Sequence, residues 1–395
     1  MSLDNISNPF EELPEGLVDE MLTNSKGVSS GISQKFKEII DKKDFYRKKL
    51  ESNGDLKNSK EIETIKNFPT SAGVDGSYTM ERMISMDFAC AAAVAVEGLT
   101  PPGPERRNWP KPRYFSHIEA VEHREDTSQV LRGISAGLEL HLTANAPHDV
   151  VLLDGSMKTP LIFLNNATVK FKTIPRTLKE VFINGKESVN EDLLRFPSFE
   201  DVLKDYKEIL TSQRSDKIYA AVPKYTTKNE IAERLGLTNY EDRGVLNFLL
   251  KGGEYVGPFI SSELEGLHLE IPRESGIPDN AVKLRDKIEG EYILNIYIVY
   301  FRPSQYSPVL RLEIPKSVAT NASRLSLLFE AIEIQSTSLS IMEPYPLYLA
   351  DRMVKHLSTA IPAIRKSAFQ EISENWGEDV SNILMAFHPF RTEGG

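Results

Sequence analysis

Two stretches of the sequence, Gly73-Val74-Asp75-Gly76-Ser77 and Leu152-Leu153-Asp154-Gly155-Ser156, each place an aspartate after an apolar run and directly before Gly-Ser. The runs read as buried strands, and Gly-Ser reads as the turn where a strand leaves its sheet. Both carboxylates would then stand at strand ends, and the repetition points to one shared site. Oxygen donors of this kind suit Mg2+ and Mn2+. A phosphodiester hydrolase working through two such ions needs several carboxylates converging on them. One Asp-Gly-Ser alone is more simply a turn, because Asp and Gly are favoured there. The pair carries the chemistry.

Composition narrows the classes. The 395 residues are 40% hydrophobic and 26% charged, as in an ordinary globular protein with a large core. A formal net charge of -10 excludes a uniformly basic surface, yet 47 Lys and Arg suffice to line a groove for nucleic acid. The single cysteine, Cys90, lies in an apolar run. It rules out an internal disulfide and a Cys-based zinc site, and reads as a small core residue. Met1 to Glu12 lacks the order of a signal peptide, and the longest apolar run, Phe88 to Val96, is too short to span a bilayer. A cytoplasmic protein without membrane contact is expected. No phosphate loop ending in Lys-Ser/Thr and no His-Glu-X-X-His occurs, which removes an intrinsic ATPase and a common zinc hydrolase.

Periodicity predicts the elements that must position the acids. Residues 1–65 read as a helical arm and linker: a short helix over Glu15–Asn24, an amphipathic helix or helix pair over Ser30–Ser52, and a polar stretch reaching Lys66. The main domain, 66–395, opens with strands at Gly73–Met80, Ile84–Glu97 and Arg113–Val121. A helix over Asp126–Ala144 follows, then a strand at Val150–Asp154. Residues 175–250 read as a helical insertion, with helices Ser198–Ser212 and Lys228–Leu235 around a strand Ile218–Val222. Beyond it come strands Tyr292–Phe301 and Pro308–Ile314 and helices Ala322–Ile332 and Leu347–Thr359. Three strands, a helix and a strand bearing the second acid is the opening order of the ribonuclease-H-like fold. The predicted class is therefore α/β, a mixed sheet flanked by helices.

Five pieces agree, in order, with one family: the early Gly-Val-Asp-Gly-Ser, the helix leading into Asp149-Val150-Val151-Leu152-Leu153-Asp154-Gly155-Ser156, Ala220-Ala221-Val222-Pro223-Lys224, Leu310-Arg311-Leu312-Glu313-Ile314-Pro315, and Pro344-Tyr345-Pro346-Leu347 running into Ala350-Asp351-Arg352. Spanning Ser71 to His356, they resemble the NurA nucleases, DNA-end-processing enzymes of ribonuclease-H-like fold that work with a HerA-type DNA translocase. The resemblance implies a homodimeric DNA nuclease using Mn2+ or Mg2+, partnered by a HerA-type hexameric ATPase in repair or anti-phage defence. The arm could dock on that hexamer.

The resemblance also assigns residues. Asp75 and Asp154 would hold the metals. Where the family has a glutamate in the preceding helix this chain has Ser135, so Glu139, one turn on, is the nearest acid; Asp351 stands for the family's histidine, and Glu343 for a common tyrosine. The expected metal shell is Asp75, Asp154, Glu139 and Asp351. Lys224 matches the family's lysine, Lys158, Lys228 and Arg352 would contact phosphate beside it, and Tyr345 would stack on a base. Ser77 and Ser156 would orient the aspartates or, more simply, close their turns; Glu119 and Glu122 are reserve acids for the site that read more simply as surface charges; and His356 is structural. Two alternatives stand beside the nuclease: a non-cutting scaffold of the same fold that binds DNA or the translocase, and a strand transferase, disfavoured because no separate DNA-binding module is seen.

Overall fold

The computed structural model describes residues 14–386 and residue 388, apart from 63–67, 100–108, 110–112, 172, 174–175, 186–195, 225–227, 262–266, 274, 337–339 and 376–379. The chain divides into two compact units, one of Met1–Asp55 with Lys228–Leu250 and the other of Leu56–Thr227 with Lys251–Gly395.

The first unit is helical: α1 (Glu15–Asp41), α2 (Lys43–Ser52), α7 (Glu230–Leu235) and α8 (Asp242–Leu249), numbered along the whole chain. Ile39, Tyr46 and Leu50 are buried, and the Phe36 ring lies 6.1 Å from Tyr240 and 5.1 Å from Phe248. Arg47 donates to the Leu249 carbonyl. The buried Asp242 accepts from the amides of Ile231 (2.8 Å) and Ala232 (2.7 Å), satisfying donors that a helix start leaves open. The predicted gap between residues 24 and 30 is absent. Ser25, Ser29 and Ser30 turn their hydroxyls onto carbonyls of their own helix, so α1 runs on through weak helix formers.

The second unit is built on a nine-stranded sheet, β1 (Leu56–Asn58), β2 (Ser71–Arg82), β3 (Asp87–Glu97), β4 (Arg113–Val121), β5 (Val150–Asp154), β6 (Ile218–Val222), β7 (Glu254–Ile260), β8 (Ile296–Phe301) and β9 (Leu310–Pro315), in the spatial order β1-β7-β8-β9-β6-β5-β2-β3-β4. Its helices are α3 (Thr127–Asn145), α4 (Thr159–Thr168), α5 (Arg176–Asn184), α6 (Phe199–Thr211), α9 (Asp279–Lys287), α10 (Lys316–Ala319), α11 (Ala322–Gln335), α12 (Tyr345–Asn375) and α13 (Val380–Ala386). β2, β3 and β4 form an antiparallel meander, while β5 joins β2 in parallel through Val74 opposite Leu153. That is the order expected of the predicted class.

Both faces of β5 are covered, which is why its apolar letters run without alternation. Val151 and Leu153 join Leu131, Leu138 and Tyr219 in one core, and Val150 and Leu152 join Phe329, Ile332 and Leu347 in another.

Three expectations need correction. Residues 175–250 are not a helical insertion: α5, α6 and β6 belong to the sheet unit, with β6 wholly buried between β5 and β9, and only 228–250 belong with the arm. The arm ends at Asp55, since Leu56–Asn58 pairs with Glu254–Val256 of β7 where a linker was expected. The last long helix covers Tyr345–Asn375, not Leu347–Thr359, and continues past Pro362. Among the described residues no helix is long and apolar enough to cross a membrane.

Candidate active site

The two Asp-Gly-Ser motifs do different work. β2 does not end at Asp75: it runs on to Arg82, and Asp75 and Gly76 pair in the middle of the strand with Val94 and Ala93. Gly76 is there for space. A Cβ on it would stand 2.7 Å from Ser135 Oγ, 3.1 Å from the Ser135 carbonyl oxygen and 3.3 Å from Glu139 Oε2, so α3 lies directly against the strand. Gly73 does the same for the other helix: its Cβ would meet the Leu347 nitrogen at 2.5 Å and the Pro346 carbonyl oxygen at 2.7 Å. The first turn of α12 thus rests on the β2 backbone. The second motif is the predicted turn, since β5 stops at Asp154 and Gly155 adopts φ +82° with open space around it.

These contacts gather the acids. One carboxylate oxygen each of Asp75, Asp154 and Asp351 lies within 4.8 Å of the others. Asp75 comes from β2, Asp154 from the neighbouring parallel strand, and Asp351 from α12 close to the turn that Gly73 admits. Asp75 Oδ1 accepts from the Gly76 amide at 2.8 Å. Glu139 approaches beside Gly76, where the missing side chain leaves room. Lys224, just beyond β6, sets its ammonium 2.7 Å from Asp154, 3.1 Å from Asp351 and 3.2 Å from Glu343. Lys355 pairs with Asp351 at 2.7 Å from the solvent side.

Five carboxylates around one enclosed lysine leave an excess of negative charge, and the acidities follow. Burial, with the Asp154 charge adding to it, pushes Asp75 up to about 7 against the pull of Lys224. Burial and the charges of Asp75 and Asp154 raise Glu139 well above the ordinary carboxylate range. Burial also raises Glu343, with Lys224 opposing. Burial works against ionised Asp351, yet its hydrogen bonds to Lys355 and Lys224 hold it below the usual value. Burial disfavours the Lys224 charge, but Asp154, Glu343 and Asp351 outweigh it and hold the ammonium protonated.

The loop after Asp154 is anchored from β9. Ser156 Oγ and the Met157 amide donate to Glu313 Oε2 at 2.6 and 3.0 Å, while Arg311 holds Glu313 Oε1 at 3.1 Å. Arg311 and Glu313 are both 3% exposed. Ser156 therefore ties the second turn to the sheet, a role the sequence reading missed although two charges within an apolar strand were its signal. Glu343 was read as a departure from the family pattern and is in the cluster.

The remaining expected residues are spread more widely. Lys158, expected on phosphate, is instead buried with Nζ on Ser261 Oγ at 2.6 Å, because the β5–α4 loop folds it inward. Arg352 is exposed and reaches the Tyr348 hydroxyl at 3.1 Å; Tyr345 is half-buried at the first turn of α12. Ser135 Oγ donates to the Ala92 carbonyl at 3.2 Å, and Ser77, mid-strand, closes no turn. Glu119 pairs with His117 at 3.2 Å and lies level with Met80, five residues along β2 from Asp75. Glu122 pairs with Arg124, and His356 is exposed. Lys228 begins the second segment of the helical unit. Cys90 is buried, and burial pushes its thiol up to about 12, as a core cysteine should be.

Comparison with known proteins gives the family. A model described as the NurA domain matches residues 25–356. The crystal structure of the NurA nuclease from Sulfolobus solfataricus is 14% identical, with 92% of this chain and 99% of that one covered at a TM-score of 0.54. A crystal structure of NurA with manganese is also 14% identical, covering 90% and 99% at a TM-score of 0.49. No curated protein matches this chain. The first structure shares the fold, the family model spans most of the sequence, and the chain belongs to the NurA domain family.

Proposed function

We propose that this chain is a metal-dependent deoxyribonuclease that hydrolyses phosphodiesters at DNA ends, with Mn2+ or Mg2+ held by Asp75, Asp154 and Asp351 and with Glu139 completing the set. The observation that carries the reading is the convergence of three aspartates from two strands and a helix within 4.8 Å. The donor set fits such ions: every ligand is a hard carboxylate oxygen, and burial, with the charges of Asp154 and Asp351 adding to it, raises Asp75 to about 7. When bound, two ions there supply Lewis-acid stabilisation of charge on the phosphate and acidify water.

The chain's own groups do the rest. Asp154 and Asp351, both ion-paired with Lys224, orient the cluster. The Gly76 amide fixes one oxygen of Asp75, and Glu313 fixes the loop that carries Asp154. Lys224 has a charge to offer phosphate once Asp154 and Asp351 are otherwise engaged. Arg352, exposed next to Asp351, positions the strand through phosphate, and Tyr345 offers a face for a terminal base. Pairing as a homodimer, partnership with a HerA-type hexameric ATPase and a role in repair or anti-phage defence are proposed on the family resemblance.

A non-cutting scaffold is the second reading. It is favoured by Lys224, which already neutralises part of the cluster, and by Asp351 in the place of a histidine. End-labelled linear DNA incubated with Mn2+ or Mg2+ tests both. Cleavage that stops in EDTA and in Asp75→Asn and Asp154→Asn supports the nuclease. DNA binding without cleavage under any divalent ion supports the scaffold, and joining of ends supports a strand transferase.

A further inference from the structure

The acid cluster is lopsided in its cations. Among the described residues no lysine or arginine pairs with Asp75 or Glu139, whereas Asp154, Asp351 and Glu343 all turn toward one ammonium. Lys224 Nζ stands 2.7 Å from Asp154 Oδ2, 3.1 Å from Asp351 Oδ1 and 3.2 Å from Glu343 Oε2. The three acids come from the end of β5, from α12 and from just ahead of α12, and converge on this point only through the fold.

An ammonium fills that point imperfectly. Its three hydrogens have fixed directions, and Glu343 Oε2, buried and 3.2 Å away, makes no hydrogen bond with it or with any other donor. A metal ion draws lone pairs from several oxygens at once and brings twice the charge to a place where three carboxylates face one another. Glu343 stands outside the three aspartates that share 4.8 Å. That spacing suits the present occupant, because contacts of 2.7 to 3.2 Å hold the oxygens farther apart than Mg2+–oxygen bonds of about 2.0–2.1 Å would. We propose that Lys224 stands in the place of a second divalent ion, with Asp154, Asp351 and Glu343 as the carboxylates of that ion. The two ions then load in order: the first beside Asp75 and Glu139, where no cation is displaced, and the second only as Lys224 withdraws. Asp154, set between the two groups, serves both. At limiting Mn2+ the chain holds one ion, and Lys224 keeps the second place closed. The proposal rests on the metal-dependent reading above and adds to it Glu343 and an order of filling.

Titration of the full-length protein with Mn2+, followed by calorimetry and by electron paramagnetic resonance, tests the order. The wild type is expected to bind one Mn2+ and then a second at least ~10-fold more weakly, and only the second step should give the spin-coupled signal of ions about 3.5–4 Å apart. Lys224→Met should tighten the second step at least ~10-fold and leave the first within about 3-fold. Glu343→Gln, which keeps the size and loses the charge, should weaken the second step alone, and Asp75→Asn should weaken the first. Melting in EDTA identifies the folded variants, and Glu343→Gln carries the test by itself where Lys224→Met does not fold. A second step that Lys224→Met leaves unchanged, or that Glu343→Gln leaves unchanged or tightens, overturns the proposal while the nuclease reading stands. Absence of any Mn2+ binding to the wild type overturns the metal-dependent reading and this proposal together.

Discussion

Asp75 is 9% exposed and lies beside Asp154 and Asp351, so its charge is costly in the protein without a divalent ion. With a folded-state value of about 7 against an ordinary 3.8, the folded chain holds this proton more tightly than the unfolded one. The resulting stability is complete below pH ~4 and is lost as pH rises through about 7. In EDTA the melting temperature of the wild type should fall across that window relative to Asp75→Asn, and Mn2+ at pH 7.5 should remove the deficit. A gap that widens in the opposite direction would contradict the assignment. The same substitution, and Asp154→Asn, should reduce Mn2+-dependent cleavage by at least ~1,000-fold, read on labelled DNA ends. Lys224→Met leaves Asp154, Asp351 and Glu343 without the ammonium among them, and should lower metal-free stability by about 1–3 kcal/mol, less so in Mn2+. Asp75 and Asp154 were legible because each follows an apolar run. Glu139 and Asp351 came through the family likeness, since nothing local marks an acid whose partners lie on other elements. Lys224 was visible as a cation, but its place among three carboxylates is a tertiary fact.

At the scale of elements, one strand, β2, meets two helices, α3 and α12, over its glycines, and these contacts set the distances in the site. Gly73→Ala would drive a methyl against the backbone of Pro346 and Leu347, which cannot yield as a flexible side chain can. α12 must then shift, and Asp351 with it. The expected result is a loss of about 1–3 kcal/mol together with a fall in cleavage larger than the stability change explains, measured by melting and by turnover of the folded fraction. Gly155→Ala has open space but a strained φ, so a cost of about 1 kcal/mol with the site nearly intact is expected. The contrast between these two glycines also shows where sequence pattern runs out. β5 and β6 were read to the residue because burial on both faces makes them short, unbroken apolar runs. β2 was read over Gly73–Met80, close to its Ser71–Arg82, but Asp75-Gly76-Ser77 within it was also read as a strand-ending turn, although packing against Ser135 is what selects the glycine. β7 was not seen at all: Gly257-Pro258 in its middle are turn letters, and its register with β8 shifts there.

For the whole molecule, the organisation is less simple than an arm followed by a catalytic domain. The helical unit takes residues 228–250, which follow β6 in the chain, and this could not be read from sequence because the two segments share no local signal. Phe36, Tyr240 and Phe248 form one aromatic group, and Arg47 holds the end of α8. Residues 1–55 should therefore not be removable as a free appendage. Their deletion strips Phe36, Ile39, Tyr46 and Leu50 from the unit and leaves α7 and α8 short of apolar cover. Deletion of residues 1–24 removes only exposed or half-buried turns of α1 among the described residues. The shorter deletion should melt within a degree or two of the full chain and retain cleavage. The longer one should show loss of hydrogen-exchange protection across 230–249, with lower solubility or a lower melting temperature. If the chain lacking residues 1–55 keeps full protection of α7 and α8, the unit does not depend on the N-terminal segment, and the two-segment division fails as a description of how this protein is stabilised.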